Sequence, residues 1–225
     1  MTTEQRFLKD VDSHVMEVIK DDGLYRHIRF REPGTMMQHF DLITWPGYLC
    51  YCGDMGTYVF TRLADMFQFF RTDREYAQRH GRQLGINLSY WAEKLEAVDG
   101  HRTGGSAMEF DEDRFREVVQ EYRVNWVREA KSRSQLSVAE RRELWEAVDR
   151  DVLGELDNGG DRAIYAAYDF CWQPGYGVST RPHWRFEDLF EHGFQRYTNR
   201  FTWCCYALAW GIQRYDESQL QKEAA

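Results

Sequence analysis

The apolar positions of this chain change period several times before residue 71, and those changes set the expected fold. Over residues 3–20, Phe7, Val11, Val15 and the pair Val18-Ile19 recur near every 3.6 residues, with Lys9, Asp10, Asp12 and Glu17 on other faces. That spacing predicts a first helix, ended by Asp21-Asp22-Gly23. Residues 24–31 then alternate. Leu24, Ile28 and Phe30 take one parity and His27, Arg29 and Arg31 the other, as in a strand with one wet face. After Glu32-Pro33-Gly34 comes the most structured stretch, residues 38–71, QHFDLITWPGYLCYCGDMGTYVFTRLADMFQFFR. Phe40, Leu42, Ile43 and Trp45 precede a Pro46-Gly47 turn, and Leu49 and Tyr51 run to a second turn at Gly53-Asp54-Met55-Gly56. Thr57 to Thr61 is β-branched and aromatic, and Asp65 can cap a helix crowded with Met66, Phe67, Phe69 and Phe70. Four strands joined by short turns predict an antiparallel meander. Its inner strands are apolar on both parities, so a second covering surface is expected.

The remainder reads as helical. Residues 73–85 predict a weak helix and a turn, and Trp91, Leu95 and Val98 a short amphipathic helix over 89–98. Residues 99–106, DGHRTGGS, have linker composition. Phe115, Val118, Val119, Tyr122 and Trp126 form a stripe at i, i+3, i+4, i+7 and i+11. Ser137 with Glu140 forms a capping box ahead of Leu144, Val148 and Val152, and Asp157-Asn158-Gly159-Gly160 breaks that helix. A short Tyr-rich segment at 161–170, a loop at 173–177 and a brief helix at 184–190 follow. The last long helix, 196–215, carries two apolar stripes: Phe201, Cys204, Cys205, Leu208 and Ile212, then Trp203, Tyr206, Ala207 and Trp210. The expected fold class is α+β: an N-terminal helix plus an antiparallel four-stranded meander over 1–99, followed by a helical C-terminal half over 107–225, packed as one compact domain.

Composition narrows the function classes. Lys and Arg total 29 against 37 Asp and Glu, a net charge of −8, which argues against direct binding to a phosphate backbone. Residues 1–9 are polar without an apolar run behind them, so no secretion signal is expected. No run approaches a membrane span. Five cysteines without a disulfide framework suit a reducing cytoplasm, the expected location.

Three constellations bear on chemistry. His39 and Asp41 share a strand face with Asp54 in a nearby turn, which is the sharpest catalytic reading, a small hydrolase. An Asp in a Gly-flanked turn ordinarily bonds its own backbone, however, and His-x-Asp also serves as an exposed pair. Cys50 and Cys52 lie two apart on a strand and Cys204 and Cys205 adjoin on a helix. Structural zinc prefers loop cysteines at C-x₂₋₄-C spacing, so these read as core residues, and no metal or other cofactor is expected. Between Asp111 and Asp157, 13 acids face 9 bases, a net of −4. Such helices suit a nucleic-acid mimic or a salted surface laced with i, i+4 pairs.

The run TWPGYLCYCGDMGTYVFTRLADMFQFFR resembles a segment of small accessory proteins of tailed phages and prophages, and is similar in style to the phage Gabija anti-defence proteins. The resemblance spans about residues 25–100. It implies a protein that binds a host nuclease–helicase defence complex as an oligomer and blocks it by occlusion, and it carries over no catalytic residue. The candidate contact residues are Trp203, Tyr206 and Trp210 of the last helix, with Asp54 and Tyr58 of the central stretch. Two apolar stripes on one helix further predict self-association, as a dimer or tetramer.

Overall fold

A computed structural model describes residues 2–101, 105–175 and 183–224. Contacts divide the chain into two compact units, residues 1–109 with 197–225, and residues 110–196. The last helix therefore joins the sheet region instead of the helical one.

The first unit opens with helix α1 (Glu4–Asp10), capped by the Thr3 side chain. An antiparallel sheet of six strands follows: β1 (Val15–Asp22), β2 (Tyr25–Arg31), β3 (Phe40–Trp45), β4 (Tyr48–Gly53), β5 (Gly56–Thr61) and β6 (Leu95–Val98), lying side by side in that order. β2 to β5 are the four predicted strands. β1 and β6 are the two edges, and both fall where the spacing predicted helix. Phe7, Val11 and Val15 are helically spaced, but the chain turns at Asp12 and Ser13 and Val15 pairs with Arg31. A shift of register between Val18 and Lys20 also breaks the period-two pattern, which hides the strand. At the other edge the helix is only α4 (Leu88–Ala92), after which Leu95, Ala97 and Val98 pair with Phe60, Val59 and Tyr58. Between β5 and α4 lie α2 (Met66–Arg71), capped by Asp65 as predicted, and α3 (Arg74–Arg79).

One face of this sheet is core. Ile28, Phe30, Phe40, Leu42, Leu49, Tyr51, Tyr58 and Phe60 are each fully buried. Helix α8 (Asn199–Glu223) lies against them, capped by Thr198 and running eight residues past the predicted end at Tyr215. A Cβ at Gly211 would come within 3.0 Å of Leu42 and 3.1 Å of Phe30, so glycine lets the helix approach there. The second stripe is covered within the chain. Phe7 of α1 meets Trp203 edge-on at 5.0 Å and stacks on Tyr206 at 5.7 Å, and Trp203 Nε1 donates to Asp10 at 3.0 Å. Arg26, at an inward position, is reconciled with the core by Asp65 at 2.9 Å and by stacking over Phe67 at 4.8 Å.

The second unit is helical. α5 (Glu112–Ser132) and α6 (Val138–Asp151) carry the predicted stripes, and both hydrogen bonds of the Ser137–Glu140 capping box form. A 3-10 turn, Leu153–Asn158, leads to α7 (Gly160–Asp169). The core joins Phe115, Val118 and Trp126 to Leu144, Val148, Ala163 and Phe186. The helix expected at 184–190 is not formed. Trp184 pairs with Trp172 in a β-bridge, and left-handed Asp188 (φ 53°) precedes a single turn at Leu189–Glu191. Short strands β7 (Met108–Phe110) and β8 (Gln195–Tyr197) pair where the chain passes between the units. Residues 102–104 of the expected linker and 176 and 177 of the expected loop lie outside the described residues.

Candidate functional site

The sheet has an outer face as well, and its chemistry is ordered in rows across the strands. Alternation along each strand sends every second side chain outward. Register then aligns them: Glu17, Arg29, Asp41, Cys52 and Thr57 form one row, and His27, Ile43, Cys50, Val59 and Ala97 the next. Trp45 and Tyr48 pair in a third, closed by Thr61. The second and third rows are half-exposed along Ile43, Trp45, Tyr48, Cys50 and Val59. Trp45 and Tyr48 stack with ring centroids 5.3 Å apart at 16°.

The first row is polar and locked. Asp41, only 7% exposed, accepts from Arg29 Nε and Nη2, each at 2.9 Å, and from His27 Nε2 at 2.7 Å. Burial pushes this carboxyl up, but the bonds from Arg29 and then His27 outweigh it and hold it below the usual carboxylate range. The same bonds raise Arg29. A recess of about 400 Å³ opens beside this row, lined by Arg29, Arg31, His39, Asp41, Cys52 and Thr57 among others. Gly53 also lines it, and a Cβ there would stand 2.2 Å from the His39 carbonyl oxygen and 2.8 Å from Phe40 Cα, so glycine lets β3 and β4 meet at this end.

The predicted catalytic trio is not assembled. His39 and Asp41 line the same recess, but His39 Nδ1 bonds the Met36 carbonyl at 2.7 Å and Asp41 is committed to Arg29 and His27. Asp54 accepts from the Gln38 amide at 3.1 Å, a bond to the segment before β3 and not the bond within its own turn that its glycine neighbours suggested. The paired cysteines part as well. Cys50 and Cys52 take the outer face, whereas Cys204 and Cys205 are fully buried on α8, where burial pushes both thiols well up. Among the described residues no group of three or more His, Cys, Asp or Glu side chains is placed to hold a metal. In the second unit several acids of α5 and α6 are paired at helical spacing, Glu112 with Arg116 at 2.7 Å, Glu129 with Arg133 at 2.8 Å and Glu146 with Arg142 at 2.8 Å. Asp149 pairs with Arg123, which also lies 3.9 Å over Trp145. This is a salted surface more than a phosphate-like row.

Of the expected contact residues, Tyr58 (0% exposed), Trp203 (1%) and Trp210 (7%) are core, while Tyr206 and Asp54 are half-buried. Arg29, His27, Trp45 and Tyr48 are site residues that no motif in the sequence singles out. Their signal was present: period two put His27, Arg29 and Arg31 on one parity, and tight turns fix which residues face each other across β2 to β4. Among the described residues no helix is long and apolar enough to cross a membrane. The chain matches no protein-family model, no curated protein and no solved structure.

Proposed function

We propose that this chain is a protein-binding module that acts by occlusion, and that the outer face of its sheet is the docking surface. The observation that carries this reading is the half-exposed strip of Ile43, Trp45, Tyr48, Cys50 and Val59 beside the ordered Arg29–Asp41–His27 cluster. Interface centres are enriched in aromatic residues and Arg, and their affinity comes from a few rigid anchors. A stacked Trp–Tyr pair on adjacent strands loses little freedom on docking. Half-exposed apolar side chains on a regular sheet also present a flat surface, suited to a protein partner more than to a small molecule.

The resemblance of the central stretch to phage anti-defence proteins supplies the partner class, a host nuclease–helicase complex of the Gabija type. Phage plating tests this on cells carrying such a defence and expressing the chain. Plaque numbers are expected to recover with the natural sequence and to fall back with Trp45→Ala/Tyr48→Ala. Undiminished defence in the presence of the folded natural protein rejects this partner, and equal rescue by the double variant rejects this surface.

A further inference from the structure

One side of α8 stays open between α1 and residues 82–88. Tyr206, Trp210, Arg214, Glu217 and Gln221 follow one another at intervals of three or four residues, so they share that side of the helix. Three recesses lie along it, of about 440, 350 and 440 Å³. Tyr206 and Ile86 line the first, Leu84 and Gln213 the second, and Val11 and Met16 the third. They are continuous. Arg82 belongs to the first and second, and Leu8, Gln83, Trp210 and Arg214 to the second and third. From Tyr206 to Gln221 the helix rises about 22 Å, the length of about seven residues of extended chain. We propose that this groove binds an extended peptide of about seven residues, with apolar side chains at alternate positions, an acidic residue facing Arg82 and a basic residue facing Asp12.

The lining suits a peptide in two ways. Leu8, Val11, Met16 and Trp210 give it apolar surface, and extended chain turns every second side chain to one side, so alternate residues meet that surface. The polar lining answers to the peptide backbone. Gln78, Gln83 and Gln221 are exposed, and their side-chain amides have no hydrogen-bond partner among the described residues. Each amide offers a donor and an acceptor, which is what a peptide group needs. His14 adds an acceptor. Its Nε2 donates to the Gln38 carbonyl at 3.0 Å, which leaves Nδ1 with a lone pair and no partner among the described residues.

Charge selects the peptide. Most ionised groups of the groove are already satisfied. Glu217 accepts from Arg214 at 3.2 Å and from Gln213 at 3.1 Å, and Asp73 accepts from Trp91 Nε1 at 3.1 Å. Arg82 and Asp12 are the exceptions. Both are exposed, and neither side chain has a hydrogen bond or an ion pair among the described residues. They also stand in different recesses, Arg82 in the first and second and Asp12 in the third. An unpaired cation towards one end and an unpaired anion towards the other fix the direction of a bound peptide as well as its composition. The groove lies on the α8 side of the sheet, away from Trp45 and Tyr48, so it is separate from the docking surface proposed above.

The test uses the full chain alone, so its outcome is independent of the docking reading. A random heptapeptide library on beads is sorted against the fluorescently labelled protein, and against Arg82→Gln, Asp12→Asn and Gln83→Trp, all substitutions at exposed positions. The natural chain should enrich peptides with alternating apolar residues, one acid and one base. Arg82→Gln should lose the preference for the acid alone, and Asp12→Asn the preference for the base alone. A synthetic copy of the enriched peptide should bind each of these two variants about two- to fivefold more weakly, the scale of one surface ion pair. Gln83→Trp, which puts an indole where the second and third recesses meet, should enrich nothing above background. No enrichment by the natural chain, equal enrichment by Gln83→Trp, or an acid preference that survives Arg82→Gln overturns the proposal.

Discussion

Trp45 and Tyr48 face each other across the turn between β3 and β4, their rings within 16° of parallel and their centroids 5.3 Å apart. Each is half-exposed, on the side of the sheet away from α8. Stacking of this kind holds both rings in one arrangement and adds about 0.5–1.5 kcal/mol beyond the area it covers. The pair is thus set before any partner arrives, and the Pro46-Gly47 turn, with Gly47 at φ 88°, fixes the distance between the two strands.

The opposite face of the sheet makes a different demand on its tryptophans. Trp210 lies 5.3 Å from Phe30 and 6.4 Å from Phe7, with 7% of its surface exposed. Trp210→Glu would place a carboxylate against those rings and remove their packing, at a cost of at least about 3–5 kcal/mol. The expected result is loss of the cooperative unfolding transition in urea. A variant that stays folded but halves its mass by light scattering would instead place Trp210 at a contact between copies of the chain.

Asp41→Asn tests the polar row. It leaves Arg29 and His27 without a charged acceptor and should cost about 1–3 kcal/mol at pH 7. The pH dependence follows from the lowered Asp41 carboxyl. A group held below its unfolded value contributes stability that is complete above that value, about 3.9, and is lost as the pH falls through the folded value. The stability gap between natural protein and variant should be constant above about pH 5 and narrow below about pH 4. Urea midpoints measured from pH 7 to 3 check this, and a gap that does not narrow contradicts the pairing.

Tyr51 is fully buried and its hydroxyl has no hydrogen-bond partner among the described residues, with burial pushing its ionisation well up. Removing a buried hydroxyl that bonds nothing relieves a desolvation cost. Tyr51→Phe should leave stability unchanged or raise it by about 1 kcal/mol. Thermal unfolding decides, and a loss of more than about 1 kcal/mol would mean the hydroxyl is bonded in solution.

The middle of the sheet was legible because its turns are. Pro46-Gly47 and Gly53 to Gly56 delimit β3, β4 and β5, and β-branched and aromatic residues fill them. The edges were not, because β1 combines a bulge at Val18/Lys20 with apolar spacing inherited from α1, and β6 offers four residues against a helical spacing that begins at Trp91. The catalytic trio misled for a related reason. Two residues on one strand share a face whatever their partners, and the partners of Asp41 come from β2, which only the register discloses. The stripe of Trp203 and Trp210, from which self-association is expected, is covered by α1 from 193 residues away in the chain, as the bond from Trp203 to Asp10 shows.

The most direct test of the docking surface is co-elution of the purified chain with a reconstituted Gabija nuclease–helicase complex on a sizing column. Three proteins are compared: the natural sequence, Trp45→Ala/Tyr48→Ala, and Val138→Ala, which trims a 77%-exposed side chain of the second unit. The account predicts that the natural chain and Val138→Ala travel with the complex, while the Trp45/Tyr48 variant, still folded but with its melting temperature lowered by a few degrees through loss of the stacked pair, elutes alone at about 27 kDa. Retention of the folded Trp45/Tyr48 variant on the complex, or elution of the natural chain by itself, would contradict it.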